Sequence, residues 1–472
     1  MSTNRQEQFR KIPSVESVLA DPRLQAFADQ LSRNILRNAA RSATDQIRES
    51  LQAGTISDAD QESLRRMIVE QAVREARAAL KPQYRKVINA SGVILHTGLG
   101  RAVLPPAALQ HIMEDLSGYS LLQMDLDTGR RGSRDARVQW LLRQLTGAEA
   151  ATVVNNNAAA TSLVLNTIAH GKEVIVSRGQ LVEIGGSFRL PEVMAASGAT
   201  LVEVGTTNKT HLRDYERAMT ENTAAIMRVH PSNYKISGFT SEVPLKSLVK
   251  LAHSRGLLLY DDLGAGPLID VSRFGFDPEP TLDESVKAGA DLVSCSADKL
   301  IGGPQGGIIL GRSQWVKAVR KNPVARIVRP GKLTLAALEA TLALFLDEER
   351  AVENVPTLRM LARTATEISE QAERIADGLR DHQVPADVSL AKGYSQMGSG
   401  SLPTQNLPTR LVVVMPTEMP SRELGHRLRL HCPAIFTRLK KERVLIDPRT
   451  IRPGEETTLL EAFVQVLSTE GP

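Results

Sequence analysis

GLLLYDDLGAG, residues 256–266, is an apolar run that stops on two adjacent aspartates and opens into glycine. A strand without polar alternation is covered on both faces, the condition of a strand inside a parallel sheet flanked by helices. Reading outward, runs of the same kind recur on either side: ATVV at 151–154, EVIVS at 173–177, TLVEVG at 200–205, AAIMRVH at 224–230, LVSCS at 292–296 and GGIILG at 306–311. Helix-length segments separate most of them. The alternation predicts an α/β domain with a mainly parallel, doubly wound sheet over residues 81–335.

The flanks read differently. Residues 1–80 contain no strand-like run. Leu24, Phe27, Leu31 and Ile35 recur at helical spacing, a break falls at 54–58, and 63–80 reads as a second long helix. We therefore expect a separate N-terminal helical domain, with Arg33, Arg37, Arg41 and Arg48 near one helix face; pairing with nearby acids is their ordinary reading. After 335, a proline-free helix spanning 333–353 is expected to bridge to a C-terminal α+β domain over 336–472, with strands in TRLVVVM at 409–415 and RVLIDP at 443–448. The one biased stretch is MGSGSLP at 397–403, and the role of residues 385–472 stays open.

Composition bounds the function. The 472 residues are 42% hydrophobic and 24% charged, as in an ordinary globular protein, which excludes long disorder and fibrous repeats. Two cysteines, Cys295 and Cys432, cannot build a disulfide framework, and no paired Cys/His spacing points to a metal. The net charge of +5 permits a polyanionic partner without requiring one; no lysine-rich run or basic tail suggests a DNA binder. No apolar run approaches the roughly 20 residues of a membrane helix. The N-terminus MSTNRQEQFRKIPSV is polar, so a cytoplasmic protein is expected.

Ligands of open α/β sheets bind at the carboxyl ends of the strands. Three ends carry chemistry. ATVV runs into Asn155, Asn156, Asn157 and Ala158, small and polar residues opening a helix whose free N–H groups suit a phosphate. LLLY ends on Asp261 and Asp262. LVSCS leads to Ala297, Asp298 and Lys299, then the glycine-rich LIGGPQGG at 300–307. Each alone has an ordinary explanation as a helix cap, a strand end or a solvated lysine. Together they supply a lysine whose pKa burial would depress for Schiff-base chemistry, an aspartate able to hold a pyridine nitrogen protonated, and a phosphate seat. That set points to pyridoxal 5'-phosphate.

The order of phosphate loop, aspartate and lysine resembles the aspartate-aminotransferase-like pyridoxal phosphate superfamily. The longer motifs are more specific. INASGVILHTGLGRA at 88–102, VVNNNAAA at 153–160, SRGQLVEIGGSFRLP at 177–191, VHPSNYKISGF at 229–239, DDLGAG at 261–266, SADKLIGGPQGG at 296–307 and KLTLAALEATL at 332–342 resemble the bacterial L-seryl-tRNA(Sec) selenium transferase family. Gln180 departs from it, standing where an acid is more usual.

The resemblance implies an aspartate-aminotransferase-like fold and a reaction converting seryl-tRNA(Sec) to selenocysteyl-tRNA(Sec). It implies β-elimination to a dehydroalanyl intermediate, then selenium addition from selenophosphate. Lys299 matches the cofactor lysine. Asp261 is preferred as the ring-nitrogen partner because it directly ends the apolar run, with Asp262 the alternative. Asn156, Asn157 and Ala158 match the phosphate loop, and His230 and Ser232 fall beside the ring, although His230 reads equally as a core histidine. Arg101, Arg326 and Arg329 match arginines for selenophosphate, whose tetrahedral anion suits a guanidinium fork. The resemblance also implies an N-terminal domain that grips tRNA and a homodecamer, with no DNA or membrane partner. Two other readings stay open: a pyridoxal lyase or aldolase acting on a small amino acid, and a non-catalytic RNA-binding scaffold.

Overall fold

The computed structural model describes residues 8–56, 59–186, 188–402 and 405–468. The chain divides into two compact units, Met1–Lys86 and Val87–Pro472.

The first unit is helical, with α1 (Val15–Leu19), α2 (Pro22–Gln25), α3 (Arg33–Ala53) and α4 (Gln61–Leu80). Its own core holds Leu24, Leu31, Leu36, Ala40, Ile68, Val69 and Ala72. The helical spacing from Leu24 to Ile35 does not lie on one helix: α2 ends at Gln25, α3 begins only after Ser32, and Ile35 is exposed. Gly54 ends α3 at φ +76°, as a C-terminal glycine permits. Arg33 and Arg37 both reach Glu16, and Arg48 reaches Asp45, so the ordinary reading holds for these three.

The second unit holds the expected sheet. Its strands are β2 (Ala150–Val154), β3 (Glu173–Ser177), β6 (Thr200–Val204), β7 (Thr223–Val229), β8 (Leu258–Gly264), β9 (Leu292–Ser296) and β10 (Gly307–Gly311), in the order β2-β10-β9-β8-β7-β3-β6. A short hairpin of β4 (Glu183–Ile184) and β5 (Phe188–Arg189) stands apart. Five strands run parallel from β9 to β6, and β10 is antiparallel to both of its neighbours. β2, β9 and β10 are buried at every residue, the burial that their unbroken apolar runs demand. One face packs on a core with Leu259, Val293 and Ile308, the other on a core with Tyr260, Leu292 and Ile309.

Two boundaries differ from the sequence reading. The bridging helix is two helices, α5 (Lys332–Leu344) and α6 (Glu348–Asn354), because the Asp347 side chain accepts from Arg350 N and starts the second. The chain from 336 onward is not a detached unit either. β1 (Val87–Asn89) pairs in parallel with β13 (Ala434–Phe436), so the start of the expected catalytic domain is built into the C-terminal part. There, β11 (Ala386–Ser395), β12 (Leu407–Pro416), β15 (Val444–Ile446) and β14 (Arg438–Leu439) make a second, antiparallel sheet in that order.

Candidate active site

The strand ends converge at the carboxyl edge of the large sheet. After β2, Asn156 caps the helix Asn157–Ile168 by accepting from Ala159 N at 2.9 Å, leaving the first-turn N–H groups directed outward. A Cβ at Gly307 on β10 would collide with the Asn156 carbonyl, so glycine there lets the strand approach the loop.

Asp261 and Asp262 part company. Successive side chains of a strand point to opposite faces. Asp262, buried, accepts from Asn157 Nδ2 at 2.8 Å, Thr161 Oγ1 at 2.9 Å and Gly264 N at 3.1 Å. Asp261 instead accepts from Ser285 Oγ at 2.7 Å and Arg228 Nη1 at 3.3 Å, and burial pushes its carboxyl up. The preference for Asp261 drawn from the sequence is thus not what the geometry favours: Asp262 is the carboxylate beside the phosphate loop. The signal was present in Thr161, one turn beyond Asn157 on the same helix face.

Lys299 is only 4% exposed. Burial lowers its pKa, Asp298 opposes that shift and Arg101 adds to it; Asp262 and Cys295 raise it again. Asp298 accepts from Arg101 Nη1 at 2.7 Å, a partnership the sequence did not reveal. Arg101 itself adopts φ +63°, in a turn where its N–H donates to His96 O at 3.0 Å.

His230 donates its N–H to Asp262 O at 2.8 Å, which places it beside the site. Its ring is not a satisfied core histidine. Nδ1 is buried without a hydrogen-bond partner, 3.7 Å from Glu279 Oε2. Burial, aided by Arg228, depresses its pKa to about 4, while burial and Asp277 push Glu279 up to about 7. Ser232, 3% exposed, packs against Gly264. Gln180 is buried and accepts from Val229 N at 3.2 Å, which an amide oxygen does without burying a charge.

The three expected anion-binding arginines separate. Arg326 and Arg329 line a cleft of about 470 Å³ together with Arg134, Gln123 and Pro330. Arg101 is absent from its walls. Arg134, missed in the sequence, donates to Gln123 Oε1 at 2.9 Å and Pro330 O at 3.3 Å. Burial and the charges of Arg329, Arg131 and Arg326 lower its pKa. Val154, which leads into the phosphate loop, also lines the cleft, and Asn155 N donates to Val328 O at 2.8 Å.

These residues fit pyridoxal phosphate. A buried amine with a depressed pKa, a carboxylate held by three donors and a capped helix N-terminus stand on the same sheet edge, and Asn157 Oδ1 is buried there without a partner.

Comparison with known proteins agrees. The family model for L-seryl-tRNA selenium transferase matches residues 87–452, and that for the N-terminal part of selenocysteine synthase matches 9–48. An L-seryl-tRNA(Sec) selenium transferase of Desulfomicrobium baculatum is 46% identical over 461 residues, covering 98% of this chain and 99% of the relative. One from Alkaliphilus oremlandii is 42% identical over 465 residues, covering 98% and 100%. Among solved structures, that of D-glucosaminate-6-phosphate ammonia-lyase shares the fold at a TM-score of 0.55 and 21% identity, covering 81% of this chain and 96% of that one.

Proposed function

Because the chain belongs to the L-seryl-tRNA selenium transferase family, we propose that Lys299, Asp262 and the 156–158 loop are the machinery of that family's reaction. The protein is a pyridoxal phosphate-dependent enzyme that converts seryl-tRNA(Sec) to selenocysteyl-tRNA(Sec). When bound, the cofactor supplies an electron sink for the charge left on the seryl α-carbon.

The chain's own groups do the rest. The Lys299 amine, its charge disfavoured by burial, would hold the cofactor, and as a free amine it would be the base for the seryl α-proton. Asp262 would hold the proton of the ring nitrogen, and Asn157 and Thr161 fix the orientation of that carboxylate. Asn156, Asn157 and Ala158, at the N-terminus of their helix, would hold the phosphate with backbone N–H groups. His230 and Ser232 wall the site.

The selenium donor is selenophosphate. Arg326 and Arg329 hold its tetrahedral anion in their cleft, and Arg101, fixed by Asp298, guards the lysine side. The first unit binds the tRNA, and the working assembly is the homodecamer expected from the family resemblance. No helix among the described residues is long and apolar enough to cross a membrane, and the cytoplasm is the compartment suited to a tRNA substrate.

The observation that carries this reading is Asp262 held by Asn157 and Thr161 of the phosphate-loop helix, on the same sheet edge as the buried Lys299. Lys299→Ala should lose the borohydride-reducible cofactor linkage and all turnover of seryl-tRNA(Sec) while melting like the parent. A variant that still carries a covalently reducible cofactor would show that another lysine serves.

A further inference from the structure

The glycine- and serine-rich stretch at 397–403 has no part in the chemistry assigned above, yet four of the five residues 398–402 are left-handed. Left-handed φ occurs at Gly398 (84°), Ser399 (49°), Gly400 (66°) and Leu402 (50°). Glycine accepts this conformation freely, whereas serine and leucine do not, so their neighbours must impose it. Two contacts do so. Ser399 Oγ donates to Leu95 O at 2.6 Å and meets Thr97 Oγ1 at 3.0 Å. Gly400 lies so close to Asn233 that a Cβ there would stand 2.5 Å from the asparagine Cβ.

Both anchors lead into the site. From Leu95 and Thr97 the chain reaches His96, whose carbonyl accepts from Arg101 N, and Arg101 is paired with Asp298 next to Lys299. Asn233 follows His230, which is tied to Asp262. The turn therefore spans the loops on the lysine side and the carboxylate side.

Polar groups at this junction are under-bonded. Ser401 Oγ is buried without a partner on a residue 2% exposed, and Asn233 Oδ1 and His96 Nδ1 are buried and unpartnered as well. Native structures rarely leave such groups unpaired unless a ligand or water completes them. The set is hydroxyl, amide and imidazole, in contrast to the guanidinium cleft of Arg134, Arg326 and Arg329. Neutral donors and acceptors suit sugar hydroxyls and an ester carbonyl; a phosphate calls for cations.

The geometry points to the 398–402 turn, with Thr97 and Asn233, as the seat of the ribose that carries the seryl ester, the terminal nucleoside of the tRNA. This rests on seryl-tRNA being the substrate. The turn recognises the sugar, and the amino-acid part is left to the cofactor side.

The test uses the cofactor-loaded full chain and two competitors of turnover: a 3'-seryl-amido-adenosine, which has the ribose, and serine methyl ester, which lacks it. Three variants are compared. Ser401→Ala removes the unpartnered hydroxyl, Thr97→Val alters an exposed position, and Asn233→Ala removes the amide, whose Nδ2 also donates to Glu183 O at 2.8 Å. Ser401→Ala and Asn233→Ala should each raise the inhibition constant of the adenosine compound about tenfold, the loss of one hydrogen bond, and shift that of the methyl ester by less than about twofold. An unchanged cofactor absorbance band and melting temperature show that the variants are folded. Equal weakening of both competitors, or no weakening of either, overturns the assignment. If the parent turns over seryl-tRNA(Sec) but the adenosine compound does not inhibit it, the ribose seat alone fails. If the parent does not turn over seryl-tRNA(Sec), the proposed function fails with it.

Discussion

Asp261 and Asp262 differ by one position and by half a turn of strand, so an amide at each separates ring chemistry from packing. Asp262→Asn keeps the shape but loses the charge proposed to hold the ring nitrogen protonated. Turnover should fall by about 10²-fold or more with little change in melting temperature. Asp261→Asn should keep most activity and cost about 1–2 kcal/mol of stability, because Arg228 loses a buried charged partner. Steady-state rates and thermal melts of the pair check both. The sequence offered both carboxylates and put Asp261 first for ending the apolar run, whereas the ranking depends on which face of β8 meets the phosphate-loop helix. Lys299 was legible because its glycine-rich surroundings mark it. Arg134 was not, because it becomes a site residue only when the Pro330 loop folds against it.

His230 and Glu279 give a second test at this scale. A histidine whose folded pKa is about 4 binds fewer protons than the unfolded chain between about pH 4 and 6.5, so it makes stability rise with pH in that window. A glutamate raised to about 7 binds more protons than the unfolded chain between about pH 4.5 and 7, so it makes stability fall as pH rises there. In the parent the two slopes oppose. Glu279→Gln should expose the rising slope and His230→Asn the falling one, read from melting temperatures between pH 4.5 and 6.5. Parallel curves for the three proteins would mean that both groups titrate normally.

At the scale of elements, the strands were readable because burial on two faces leaves an unbroken apolar signature. Helix limits were less so. The pattern at 333–353 continues through 345–347, and only the Asp347 cap reveals two helices. The place of β10 was also hidden: its run looks like any other, and its antiparallel direction follows from the short link after Lys299. That strand can sit beside the phosphate loop only as glycine at 307. Gly307→Ala should therefore cost about 1–3 kcal/mol of stability and loosen cofactor retention, measured by melting and by the absorbance of the dialysed protein. Retention equal to the parent's would show that the loop can move aside.

At the scale of the molecule, the division at Lys86 sets where a cut should fall. The first unit has its own core, and α4 runs to Leu80, so a deletion stopping inside that helix would expose apolar surface. Removing residues 1–86 should spare cofactor binding and weaken seryl-tRNA(Sec) binding by roughly 10²-fold or more, while the intact protein's affinity falls with added salt as phosphate contacts release counterions. Filter binding of both proteins across a salt series decides it, and equal affinities would move the RNA site onto the second unit.

The pairing of β1 with β13 carries a consequence for the order of synthesis. The ribosome delivers Val87–Asn89 early and Ala434–Phe436 near the end, so β1 emerges long before its mate exists. The loop that follows β1 and carries Arg101 is tied down again by Gln396 and Met397 through Ile94 and Leu95. A nascent chain thus holds Lys299, Asp262 and the phosphate loop before the loop around Ile94 and Leu95 has its partners at Gln396 and Met397. Contacts of such long sequence separation form late, so β1 stays without its mate until Phe436 has been made.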